Sequence, residues 1–164
     1  LFGCTGDPEP AEQKGRSGVN QEEIIQFHRE MVMEENQEIE NFCARYHWHM
    51  ESSGTGLRYM VVSKGKGKPA GEGDTVLVAY ELKLLTGEVI MNVGSENPDT
   101  AVIGRNSINR GIDEGLRLMN TGDRFRFIVP SHLGFGLLGD FGRIPFRATL
   151  VYDLTMLTHL KREK

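Results

Sequence analysis

From Leu57 onward, apolar and polar residues alternate in short runs with the two-residue period of half-buried strands. "LRYMVVS" (57–63), "TVLVAYELKL" (75–84), "RFRFIVP" (124–130) and "ATLVYDLTML" (148–157) carry this pattern, and Thr86-Gly87 in "LLTGEV" marks a tight turn. Between them lies "SINRGIDEGLRLMNTGD" (107–123). Ile108, Ile112, Leu116 and Met119 share one helical stripe there, and Gly122 stands just past its end, which predicts a helix of about three turns. Earlier in the chain, "NQEEIIQFHREMVMEENQEIENFCARY" (20–46) has apolar residues at Ile24, Phe27, Met31, Ile39, Phe42 and Tyr46 and a strongly acidic opposite face. Asn20 caps its first turn, Glu23 completes a capping box, and the run reads as one long helix, with a break near Glu34 to Glu38 as the alternative. The predicted class is α+β: an antiparallel sheet whose apolar face is covered by one short helix, preceded by an N-terminal amphipathic helix.

One stretch follows neither period. "PSHLGFGLLGDFGRIPF" (130–146) sets Leu133, Phe135 and Phe141 among glycines and prolines. Connecting segments lie in water and are normally polar, so an apolar one packs as a flap over something.

Length and charge narrow the picture. A chain of 164 residues suits one domain with an appendage, and a net charge of -4 with scattered Lys and Arg lacks the field that holds a nucleic acid. No run approaches the roughly 20 apolar residues that span a bilayer. The opening "LFGC" resembles the lipobox of a bacterial lipoprotein, with acylation expected at Cys4, and "TGDPEPAEQKGRSGV" behind it reads as a flexible tether. Residues 1–19 are thus a lipobox remnant and tether, 20–50 a helical extension and 51–164 the main domain. The bilayer is the expected partner of an acylated Cys4; a Cys4–Cys43 disulfide is the arithmetic alternative. The acidic helix face is that of a solvated helix, with client binding or a homodimer through this helix as the other reading.

Other chemistries are weaker. His28, Cys43, His47, His49 and His132 lack zinc spacing, although His47 and His49 would share a strand face, so no metal and no cofactor is expected. "SKGKGKPAGEGD" has phosphate-loop glycines without the Gly-Lys-Ser/Thr ending, and reads as a turn-rich loop. Ser107, Ser131 and His132 have no strand-turn-helix elbow to make a hydrolase.

Taken in order, "GEGDTVLVAY", "TGEVI", "VIGRNSINRGIDEGLRLMNTGDRFRFIVP" and "GFGLLGDFGRIPFRATLVYDLTML" resemble an FKBP-type peptidyl-prolyl cis-trans isomerase from about Gly54 to Leu160. With the N-terminal helix and lipobox, the chain is similar to envelope lipoproteins of that family, including gliding-motility-associated ones. The resemblance implies a curved antiparallel sheet wrapped around a short helix, an apolar pocket between them, and residues 130–146 as the loop arching over it. By position, Tyr80, Ile90, Ile108, Ile112, Phe135, Ile144 and Tyr152 would line the pocket, and the main-chain N–H of Asn109 would bind a substrate carbonyl. It further implies proline-containing polypeptide clients, no cofactor, and a lipid-anchored, periplasm-facing place in a bacterial cell envelope. Four positions depart from the family. Met91 replaces an Asp, Ile112 a Trp, Phe135 a Tyr whose hydroxyl donates to substrate, and Asp99 an aromatic residue. These departures favour a weak isomerase or, as the alternative, a binding module of the same fold.

Overall fold

The computed structural model describes residues 20–160, and the lipobox, Cys4 and the tether lie outside them. In chain order the elements are α1 (Gln21–Tyr46), β1 (Glu51–Ser52), β2 (Arg58–Ser63), β3 (Thr75–Leu84), β4 (Val89–Val93), β5 (Asp99–Val102), α2 (Arg110–Leu116), β6 (Arg124–Val129) and β7 (Leu150–Leu160). They fall into two units divided after Glu34.

The first unit holds the start of α1. The Asn20 side chain accepts the Glu22 N–H at 3.2 Å and the Glu23 carboxylate accepts the Asn20 N–H at 3.3 Å, so the capping box forms as predicted. Ile24, Ile25, Phe27, Val32 and Met33 are exposed. The helix is continuous, as the long-helix reading had it, and the alternative break near Glu34 to Glu38 is absent: Glu34, Glu35, Gln37 and Glu38 are good helix formers and neither Gly nor Pro interrupts the run.

In the second unit all seven strands form one antiparallel sheet in the order β1-β2-β6-β7-β3-β4, with β5 also paired to β3. Its inner face is built by alternation. Val76, Val78, Tyr80, Leu82 and Leu84 of β3 are buried, as are Leu150, Tyr152, Leu154 and Met156 of β7. The stripe of α2, Ile112 and Leu116, packs on that face, each side chain contributing roughly 1.5–3 kcal/mol over exposure. Two glycines let the helix lie this close. A Cβ at Gly111 would stand 2.5 Å from Val129 Cγ1 and one at Gly115 2.6 Å from Phe127 Cε1.

α2 is shorter than its stripe suggested. Asn109 has an extended backbone and starts the helix only at Arg110, and past Leu116 the chain tightens into turns that still bury Met119. The strands β1, β4 and β5 were not read from the sequence, being too short to show a period. His47 and His49 occupy the turn and coil after α1, not a strand. The glycine-rich loop 63–74 is pinned where the fully buried Asp123 accepts the Gly65 N–H at 2.7 Å and the Asn120 N–H at 2.9 Å, and a turn-rich loop is what the structure shows.

The outer face has a second core. Ile128 and Val151 face each other across β6 and β7 and are buried with Ile39, Phe42 and Cys43 from the later half of α1. Consecutive buried residues at the end of β6 and the start of β7 follow from this: there the sheet is covered on both sides. Tyr46, placed on the same predicted stripe, is half exposed and stacks beside Phe42 and Trp48.

Candidate functional site

β3, β4, the entrance to α2 and the segment 130–149 enclose a cavity of about 540 Å³, within the usual size of a ligand pocket. Tyr80 and Tyr152 form its floor, from the centre of β3 and the start of β7, with ring centroids 5.5 Å apart. Ile90 lines it from β4 and Ile108 from the approach to α2, while Phe135 and Ile144 reach it from the flap. Leu82, Val89, Met91, Asn92, Asp140 and Arg143 complete the wall. Six of the eight residues named from the sequence are thereby brought together.

The remaining two are placed otherwise. Ile112 is fully buried under the sheet and is not part of the cavity wall. Asn109 is also buried, and its side chain does two things that the sequence reading did not anticipate. Its carbonyl oxygen accepts the Ile112 N–H at 2.9 Å, capping α2, and its amide donates to the Tyr152 hydroxyl at 2.9 Å. The helix entrance and the pocket floor are therefore locked to one side chain.

Two departures from the expected pattern prove to be linked. The Tyr80 hydroxyl donates to Asp99 on β5 at 2.6 Å and lies 3.6 Å from the Met91 sulfur. Met91 stands where a carboxylate was expected, and Asp99, where an aromatic ring was expected, supplies a carboxylate from the neighbouring strand. Burial, then the hydrogen bond and charge of Asp99, push the Tyr80 hydroxyl upward in pKa. Burial does the same for Tyr152, opposed by its bond from Asn109. Both phenols stay protonated at neutral pH, so the floor of the cavity is polar at two points and carries no phenolate.

The flap shows how far its apolar character was for the pocket. Leu133 belongs to the core, and of the flap's apolar side chains Phe135 and Ile144 face the cavity. Phe141, expected in the wall, is 86% exposed and has φ 58°, and Leu137, Leu138 and Phe146 are exposed too. The tip is shaped locally: the Asp140 carboxylate accepts the Gly142 N–H at 2.8 Å and the Ile144 N–H at 2.7 Å, bonds that hold its pKa below the ordinary carboxylate value. Arg143 donates to the Val89 carbonyl at 2.8 Å, latching the flap to β4.

Among the described residues no three His, Cys, Asp or Glu side chains gather to hold a metal. Ser131 donates its hydroxyl to Glu35, Ser107 bonds the Val102 backbone, and His132 meets the Thr55 carbonyl, so the three are engaged elsewhere than with one another.

Comparison with known proteins agrees with this architecture. The family model described as FKBP-type peptidyl-prolyl cis-trans isomerase matches residues 66–157. A probable FKBP-type peptidyl-prolyl cis-trans isomerase of Haemophilus influenzae is 32% identical over 108 residues, covering 66% of this chain and 44% of its own length. FkpA of Escherichia coli, a protein of the same description, is 32% identical over 108 residues, covering 66% of this chain and 39% of its own. The crystal structure of Escherichia coli FkpA superposes with a TM-score of 0.66 at 25% identity, over 87% of this chain and 74% of that one. The match thus spans less than half the length of these two curated relatives.

Proposed function

Because the chain belongs to the FKBP-type peptidyl-prolyl cis-trans isomerase family, we propose that its cavity accelerates rotation about X-Pro bonds in polypeptide clients. The observation that supports this is the convergence of Tyr80, Ile90, Ile108, Phe135, Ile144 and Tyr152 on one apolar cavity of about 540 Å³. Rotation about a peptide bond has a barrier of ~18–20 kcal/mol because resonance keeps it planar, and for X-Pro the two isomers are nearly equal in energy. No bond has to break. The twisted amide has lost its resonance and is less dipolar, so an apolar wall around the proline ring favours twist over planarity. In this reading the main-chain N–H of Asn109 takes a substrate carbonyl, and the bonds from the Asn109 side chain hold that segment still. Phe135 supplies shape without a donor, so activity is modest. NMR exchange spectroscopy on a short X-Pro peptide with catalytic amounts of the full chain is the test. Faster exchange is expected, abolished by a proline-ring competitor; exchange at the uncatalysed rate would leave a binding module of the same fold.

Folding assistance in a bacterial envelope is the cellular role that fits. The lipobox-like "LFGC" supports acylation of Cys4 and a periplasm-facing anchor. No helix among the described residues is long and apolar enough to cross a membrane. The exposed side chains of Ile25, Val32 and Met33, which share one face of α1, support pairing with a second copy of the chain. On this reading the native N-terminus carries acyl mass at Cys4 and the chain without residues 1–19 sediments as a dimer; an unmodified cysteine or a monomer removes the respective part.

A further inference from the structure

A carboxylate in the middle of a helix usually points to water, and Glu35 does not. Only 8% exposed, it sits in the sheet-facing half of α1, and three donors converge on it. Oε1 accepts the Ser131 N–H at 2.6 Å and the Thr149 hydroxyl at 2.6 Å, and Oε2 accepts the Ser131 hydroxyl at 2.9 Å. Ser131 follows the end of β6 and Thr149 precedes the start of β7, so one carboxylate holds both stems of the flap.

Burying a charge in a core costs more than burying an isoleucine there, and an apolar side chain would have seated the helix against Ile128 and Val151 as well. What an apolar residue cannot do is fix two loop ends to one point. Ionised acceptors form short, directional bonds, and these three leave each stem little freedom to slide. Burial holds the flap only at Leu133 and Ile144, while Leu137, Leu138, Phe141 and Phe146 are exposed, so its stems need a polar anchor. Inside the clasp, close in sequence to each stem, stand Phe135 and Ile144, the two apolar flap residues that reach the cavity.

We infer that Glu35 is a positioning residue, an acidic clasp on the helix that sets where the flap places Phe135 and Ile144 over the pocket. The inference rests on the isomerase reading for its catalytic consequence, and on hydrogen bonding alone for its structural one. Two variants of the full chain test it from opposite sides: Glu35→Gln, which keeps shape and loses the charge, and Thr149→Val, which removes one hydroxyl from the other stem. Amide hydrogen exchange is read for residues 134–147 and, separately, for β3 and β7. In both variants the flap is expected to exchange about tenfold faster while the strands keep their protection. On an X-Pro peptide kcat/KM should fall about fivefold at equal folded fraction, because a misplaced wall stabilises the twisted amide less. Unchanged flap exchange in Thr149→Val, or faster exchange spread equally over flap and strands, overturns the clasp. If the wild-type chain fails to catalyse at all but the flap loosens as stated, the clasp stands and the isomerase reading falls.

Discussion

Ile144→Ala is expected to lower kcat/KM on an X-Pro peptide by about tenfold, and Phe135→Tyr to raise it by a few-fold. Ile144 is 5% exposed and its side chain forms cavity wall just past the Asp140 turn, whose carboxylate fixes its backbone. Cutting it back to a methyl group removes apolar contact with the proline ring. One methylene in an apolar pocket is worth ~1–3 kcal/mol, and a loss of ~1.4 kcal/mol, within that range, is tenfold in rate. Phe135 presents its ring to the same cavity and is 37% exposed, so a hydroxyl on that ring meets either substrate or water. A donor used mainly by the bound and twisted peptide adds ~0.5–1.5 kcal/mol, a few-fold to about tenfold. Exchange rates for the wild type and both variants, with melting curves to confirm equal folded fractions, decide it. If alanine loses nothing and tyrosine gains nothing, the flap does not wall a working site.

Stability should be as unevenly divided among the phenylalanines. Phe42→Ala is expected to cost ~3–5 kcal/mol, the usual loss for a large aromatic removed from a core. Phe42 is 7% exposed, meets Trp48 edge-on at 5.4 Å and fills the outer core over Ile128 and Val151. Phe141→Ala, at a site 86% exposed, should stay within ~0.5 kcal/mol of wild type. Urea midpoints with a common slope give both numbers. A neutral Phe42→Ala would mean that the later half of α1 is not part of the cooperative unit, and would take the support from under Glu35 as well.

Much of the scaffold was legible in order of sequence. The alternation of "TVLVAYELKL" matched β3 residue for residue, the Asn20–Glu23 box formed, and the stripe Ile112, Leu116 and Met119 is buried as its spacing required. The same periodicity failed where elements were short or where a signal had two meanings. β4 and β5 have too few residues to display a period, and the apolar stripe of α1 runs through Ile24 and Phe27, which are exposed, before reaching Ile39 and Phe42, which are not. A hint of the outer core was present in the unbroken run at the end of "RFRFIV". Alternation would leave Ile128 in water, and a residue of that kind beside Val129 signals cover on both faces.

What the sequence determined by itself is what depends on neighbours along the chain: the longer strands, the start of α1, and, through the order of its motifs, the family and the residues that could meet at a pocket. The tertiary structure decided what depends on residues far apart in that order. It took Ile112 out of the cavity and into the core, and left Phe141 outside. Through Asp99 it put a carboxylate beside Tyr80 where Met91 had removed one, and it turned Glu35 from a residue on an acidic helix into the shared acceptor of Ser131 and Thr149. The physical reason is that a period of two or 3.6 states which way a side chain points relative to its own element. It says nothing about which other element arrives there, and a buried hydroxyl or carboxylate acquires its role only from the partner that satisfies it.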